Sequence, residues 1–128
     1  MAKTLRILLV EDSERDAALL LLYLKRGGYE PTLCRVQTAA EMRSALSSEA
    51  WDVIISDFNL PGFSGFDTLK VLKESGLDIP TIIVSGEINQ KIIDGVKAAG
   101  AAEYLAKYEM RQIVPSIERV VAARPKRP

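Results

Sequence analysis

The sequence predicts an α/β domain, a single doubly wound five-stranded parallel sheet with helices on both faces. Three observations carry this reading. Short apolar runs alternate with amphipathic stretches through five rounds. The run Val53-Ile54-Ile55-Ser56 ends abruptly in Asp57 and, after Phe58-Asn59-Leu60, in a Pro61-Gly62 turn, as a fully buried strand does. The length, 128 residues, suits one domain with a real core and is too short for two ordinary ones. Parallel neighbours are joined by crossovers, and right-handed crossovers bring every strand's C-terminus to the same edge of the sheet. Ligands of open α/β sheets bind at that edge.

The elements follow in order. Leu5 to Val10 is the first strand, and Ser13 begins a helix in which Ala17, Leu20, Leu21 and Leu24 recur at helical spacing until Gly27-Gly28 stops it. Those leucines read as core. A weaker second strand, Thr32 to Val36, leads into Thr38-Ala39-Ala40-Glu41, the spacing of a capping box, and a helix to about Ser48. Trp51 is expected to pack at that helix's end. The central strand then delivers Asp57 to its C-terminal edge, and a helix runs from about Ser64 to Ser75. Pro80 to Val84 is the fourth strand. The helix from about Asn89 to Ala99 contains Gly95, which costs about 1 kcal/mol relative to alanine and marks a helix able to shift or fray. Gly100 ends it. Ala101 to Ala106 is the fifth strand and Arg111 to Ala123 the last helix, where Pro115 is acceptable only near the first turn. The domain is read as residues 1–123, with 124–128 a tail or the start of a linker.

Composition excludes several function classes. Lys+Arg and Asp+Glu balance at 17 each, so neither nucleic acid nor an anionic membrane is the default partner, and a protein partner is expected. Histidine is absent, which removes a histidine general base, a Ser-His-Asp triad, His-ligated zinc and any phosphohistidine donor within the chain. The single cysteine, Cys34, has no partner for an intrachain disulfide and reads as a small packing residue in a reducing compartment. No stretch has the length of a membrane span or the pattern of a secretory leader, and the expectation is a cytoplasmic location.

The residues that follow each strand form a set: Glu11 and Asp12 after the first, Asp57 at the third, Ser85 after the fourth, Lys107 after the fifth. Singly, each has a plain structural use. Acids cap helices and favour their dipoles, serine belongs to turns, and lysine is usually a solvated charge. Taken together they place three carboxylates on one edge, where they repel unless a cation is shared. Mg2+ suits such a site, since it takes oxygen ligands and is completed by phosphate and water. Lys107 and Ser85 can then neutralise and hydrogen-bond phosphoryl oxygens, with Asp57 as the group that takes the phosphoryl.

With these residues the chain, from roughly Leu5 to Ala123, resembles the receiver domains of two-component response regulators. The resemblance implies the flavodoxin-like fold of strand order 2-1-3-4-5. It implies that Asp57 is the phosphoacceptor, Asp12 the direct metal ligand, Glu11 its partner through water, and Asn59 a donor of its backbone carbonyl to Mg2+. It further implies that Ser85 is the switch hydroxyl, Lys107 the lysine that pairs with the phosphoryl group, and Tyr104 the aromatic whose rotamer follows it. Two positions depart from the family's pattern. Tyr108 stands where proline usually follows the lysine, and a cis bond there would cost about 3 kcal/mol without proline. Gly86 stands where alanine is common, which frees the loop after Ser85.

The function expected from this is a phosphorylation-switched signalling domain, with a histidine kinase or histidine phosphotransfer protein as donor. It assists its own phosphorylation and is not an enzyme. Output is expected through the face of the fourth helix, fifth strand and fifth helix, where Gln90, Lys91, Asp94 and Lys97 form a polar stripe, and a homodimer through that face is compatible with the resemblance. The alternative is a pseudo-receiver that docks partners without phosphorylation. An aspartyl-phosphate hydrolase would need an acid two residues after its nucleophile, where Asn59 stands. A flavin or dinucleotide module would need a Gly-rich first turn, where Glu11-Asp12-Ser13 would repel phosphate.

Overall fold

A computed structural model describes residues 3–87 and 89–124 of the chain. Five parallel strands form the sheet: β1 (Lys3–Val10), β2 (Tyr29–Val36), β3 (Val53–Asp57), β4 (Thr81–Ser85) and β5 (Glu103–Ala106). Their order across the sheet is β2-β1-β3-β4-β5, the arrangement implied by the resemblance, with every neighbouring pair parallel. The helices between them are α1 (Glu14–Arg26), α2 (Ala39–Ser48), α3 (Gly65–Ser75), α4 (Gln90–Ala98) and α5 (Ile113–Ala123). Of the tail read at 124–128, all but Arg124 lies outside the described residues. Among the described residues, no helix is long and apolar enough to cross a membrane.

Alternation along the strands divides the core into two layers. Leu5, Ile7 and Leu9 of β1, with Val53, Ile55, Ile82, Val84 and Leu105, face α1 (Leu20, Leu24) and α5 (Ile113, Ile117, Val120). Leu8, Val10 and Ile54 point the other way, onto Met42 and Leu46 of α2 and Val71 and Leu72 of α3. A third cluster continues that layer, joining Phe58 and Ile83 to Leu69 of α3 and Val96 of α4. The side chains of Ile7, Leu8, Ile54 and Ile82 are fully buried, each contributing about 1.5–3 kcal/mol relative to exposure. That is why β3 reads as an unbroken apolar run. Cys34 packs at the margin of the second layer as a free thiol, and Trp51 closes the end of α2 by donating from Nε1 to the Ala45 carbonyl at 3.0 Å.

Local chemistry sets the helix starts. Ser13, Thr38 and Ser64 each accept from the backbone N–H three residues on, at 3.1, 3.1 and 3.4 Å. Ser64 with Asp67 completes a reciprocal capping box. At α2 the returning bond goes one residue earlier than the box spacing suggests, from Gln37 N–H to Glu41 Oε1 at 2.8 Å. Beyond shifts of one or two residues at the ends of the first, fourth and fifth strands, three features differ from the sequence reading. β2 begins at Tyr29 and contains Pro31, which is tolerated because β2 is an edge strand whose outer side needs no ladder donor. Asn59–Leu60 and Phe63–Ser64 form a small antiparallel hairpin around Pro61-Gly62, with Gly62 at φ +68°. A 3-10 stretch, Lys107–Gln112, precedes α5, so Pro115 falls in the first turn of that helix, where its missing N–H has no partner to lose. All described peptide bonds are trans, the one between Lys107 and Tyr108 included.

Gly95 has a packing reason that spacing alone does not disclose. A Cβ there would stand 3.0 Å from Cζ of Phe66, whose ring meets Phe58 edge to face at 5.5 Å. The glycine lets α4 lie against α3 through that ring. Gly65 is tighter: a Cβ would stand 2.9 Å from Cδ1 of buried Phe58 and 3.4 Å from Ile83. Gly65→Ala should therefore destabilise the domain by about 1–3 kcal/mol, read as a lower urea midpoint at unchanged m-value. An unchanged midpoint would contradict this packing.

Candidate functional site

The site lies where the fold brings the strand ends together. The Glu11 N–H bonds to the Val36 carbonyl at 3.0 Å, prolonging the strand pattern by one residue and turning the Glu11 side chain inward, 5% exposed. Asp12 follows, exposed, before Ser13 caps α1. Glu11 Oε2 accepts from the N–H groups of Asp12 and Ser13 at 3.1 and 3.3 Å. Asp57 ends β3 and is buried; its Oδ1 accepts from the Asn59 N–H at 3.1 Å. Next to it, the Ser56 and Thr68 hydroxyls bond at 2.8 Å, both fully buried, and tie β3 to α3 immediately before the acid.

Lys107, the first residue after β5, reaches across the edge. Its Nζ lies 3.1 Å from Asp57 Oδ2, 2.9 Å from Asp16 Oδ2 and 3.6 Å from Glu11 Oε1. Burial pulls the ammonium's pKa down, but hydrogen bonds to Asp16 and Asp57 and the charges of Asp57 and Glu11 outweigh it and hold it above the ordinary lysine range. Burial, then the charge of Asp57, push Glu11 up to about 7 against the opposing pull of Lys107 and the hydrogen bond from Ser13. One oxygen each of Glu11, Asp12 and Asp57 lies within 4.8 Å of the others. An all-carboxylate donor set of that size fits a hard divalent cation such as Mg2+.

Ser85 and Tyr104 are arranged around one residue. The buried Ser85 Oγ accepts from the Glu87 N–H at 3.2 Å, while the Tyr104 hydroxyl donates to the Glu87 carbonyl. Both backbone polar groups of Glu87 are thus held by residues expected to move together. The Ser85 hydroxyl is engaged in its own loop, one residue beyond the Asp57–Val84 pairing of β3 with β4. The stripe Gln90, Lys91, Asp94 and Lys97 is exposed on α4, with Gln90 donating to Asp94 at 2.8 Å.

Residues 7–118 match the model of the response regulator receiver domain. The chain belongs to this family. As a receiver domain it is 31% identical over 109 residues to the sensory/regulatory protein RpfC of Xanthomonas campestris pv. campestris, covering 82% of this chain and 15% of that protein. It is 36% identical over 107 residues to the two-component response regulator ARR11 of Arabidopsis thaliana, covering 80% of this chain and 20% of that protein. The chain therefore spans a minor part of these relatives. It superimposes on the signal receiver domain of a signal transduction histidine kinase from Syntrophus aciditrophicus with a TM-score of 0.75, 26% identity and 95% of both chains covered.

Two side chains of the receiver site escaped the strand-end reading. Asp16 sits on α1, not at a strand end, and only the crossing of α1 over the edge brings it to Lys107. Arg35, near the end of β2, donates to the carbonyls of Glu11 and Asp12 at 3.2 and 3.3 Å and lies 3.5 Å from Glu14. It braces the loop that carries both acids. The available signal was the acid in the first turn of α1 and the single basic residue of β2.

Glu11 gives the metal-free receiver a pH dependence of defined sign. Its folded pKa, about 7, lies above the ordinary glutamate value of 4.5, so the folded state takes up the proton first as pH falls. Its contribution to stability is fully present below about pH 4.5 and is lost as pH rises through about 7. Without divalent cation, Glu11→Gln should flatten the rise in stability that Glu11 contributes as pH falls from 7 toward 5, measured by urea titration. An identical slope in the variant would refute the assignment.

Proposed function

We propose that this receiver domain is a phosphorylation-switched signalling module in which Asp57 accepts a phosphoryl group from a phosphohistidine on a histidine kinase or histidine phosphotransfer protein. The observation that carries the reading is the double setting of Asp57. One of its oxygens lies 3.1 Å from the Lys107 ammonium, and the carboxylate shares a cluster with Glu11 and Asp12. A nucleophilic carboxylate so placed keeps a partner for each charge that develops on the transferred group.

The step balances simply. An Asp57 oxygen attacks phosphorus, the P–N bond breaks, and the departing imidazole keeps the electron pair. Lys107 pairs with phosphoryl oxygens, and the Asn59 N–H keeps the second Asp57 oxygen oriented. Glu11, Asp12 and Asp57, with the Asn59 backbone carbonyl, would hold Mg2+, which when bound supplies the positive charge that phosphoryl transfer requires. Ser85 then turns its hydroxyl from the Glu87 N–H to a phosphoryl oxygen. Glu87 loses one of its two holds, Tyr104 follows, and the face of α4, β5 and α5 changes its affinity for a partner protein or a second copy. On this reading the domain works in the cytoplasm as a switch and has no turnover of its own beyond gain and loss of phosphate. A docking module without phosphorylation is the second reading, and the retained acids and lysine speak against it.

Acetyl phosphate with Mg2+ should add one acid-stable, base-labile phosphate, absent in Asp57→Asn and in EDTA. Equal incorporation in that variant would refute the acceptor assignment. Beryllofluoride, a phosphoryl mimic, should shift amide resonances of α4 and around Tyr104 more than those of α2, and Ser85→Ala should weaken that response while sparing incorporation at Asp57. Uniform or absent shifts with bound mimic would exclude the switch and leave a relay or a docking module.

A further inference from the structure

Lys107 has three protons to donate and three carboxylates around it, and Asp16 is the nearest, at 2.9 Å against 3.1 Å for Asp57 and 3.6 Å for Glu11. Glu11 and Asp57 are buried and belong to the acidic cluster with Asp12. Asp16 does not. It stands on α1 with its side chain about one third exposed, at 36%, and meets the site only through Lys107. Its backbone is anchored, since its N–H is held by Ser13 Oγ at 3.1 Å and the helix beneath it rests on fully buried Leu20 and Leu24. An acid in a first helical turn is ordinary. One that spans 91 positions of sequence to accept a hydrogen bond from the lysine of the acceptor site has a second role.

Resting on the reading of Asp57 as phosphoryl acceptor, we propose that Asp16 is a positioning residue that acts through Lys107 as a rival to the phosphoryl group. It occupies a donor that a phosphoryl oxygen needs, and its fixed negative charge opposes the arrival of more. Conversion of the Asp57 carboxylate to its acyl phosphate adds about one negative charge beside Lys107 near neutral pH. The ammonium has to turn toward the new oxygens, and Asp16, on the outer side, is the partner it can leave at least cost, because a partly exposed carboxylate is taken up by water. Asp57 bears the group itself, and Glu11 is buried where water cannot replace the lysine. The Asp16–Lys107 pair is therefore a brake on phosphorylation, released when the phosphoryl group wins the lysine.

The test uses acetyl phosphate and Mg2+ with the whole chain. The P–O bond to acetate breaks as the bond to Asp57 forms, acetate leaving with the electron pair and no proton moving. Asp16→Asn keeps an oxygen acceptor for Lys107 and removes the charge, so incorporation should be about three- to tenfold faster than in the unaltered chain. A rate equal to or below that of the unaltered chain, in a variant of unchanged melting temperature, overturns the proposal. A second measurement needs no variant: the Asp16 side-chain carboxyl 13C resonance should move when beryllofluoride and Mg2+ bind, because Lys107 leaves it, whereas a carboxylate that only favours the end of α1 stays where it is. A resonance that does not move while Asp57-proximal amides do also overturns it. Absence of incorporation in the unaltered chain would strike the acceptor reading instead, so the two failures are distinct.

Discussion

Mutual repulsion among the carboxylates at one edge of the sheet is the constraint around which the rest is built. Glu11, Asp12 and Asp57 bring oxygens within 4.8 Å of one another, two of these residues buried, an arrangement that would come apart without opposing charge. Lys107 supplies part of it, set among Asp57, Asp16 and Glu11. Backbone N–H groups supply more, two to Glu11 and one to Asp57. The pKa of Glu11 is nonetheless raised, first by burial and then by the charge of Asp57. The rigidity of the sheet keeps the acids in place at that cost, and the same cluster of carboxylates is suited to a divalent cation.

Rigidity at the edge is built close to Asp57. The preceding residue, Ser56, is locked to Thr68 of α3, and the following one, Phe58, sits against the bare backbone of Gly65. Phe58 meets Phe66, and Phe66 rests against Gly95 of α4. A continuous line of contacts thus runs from the acid's neighbour to the helix proposed to carry output. On the other side, Glu87 is gripped at both its N–H and its carbonyl by Ser85 and Tyr104, so a displacement of the serine hydroxyl is felt in the same loop that the tyrosine holds.

Much of the architecture was legible because local rules and the global fold agree. The five alternations, the capping serines and threonine, and the abrupt end of the Val53–Asp57 run follow from periodicity and turn chemistry, which act over a few residues. The start of β2 was less legible, since Pro31 argues locally against a strand, and only its place on the sheet edge permits it. The 3-10 stretch that begins at Lys107 and the small hairpin around Pro61-Gly62 likewise depend on where the chain must go next, not on the residues' own preferences.

Glu11, Asp12, Asp57, Ser85 and Lys107 could be read as a strand-end set before any packing was known, because a parallel sheet with right-handed crossovers sends every strand end to one edge. Asp16 and Arg35 join that edge through packing alone, as partners of Lys107 and of the Glu11 and Asp12 carbonyls. Packing likewise gave Gly95 its meaning, as the place where an aromatic ring from α3 approaches α4. The physical reason is range: patterns in a sequence record which face of its own element a residue occupies, whereas an ion pair across 91 positions or a glycine under a neighbour's ring depends on how two elements pack.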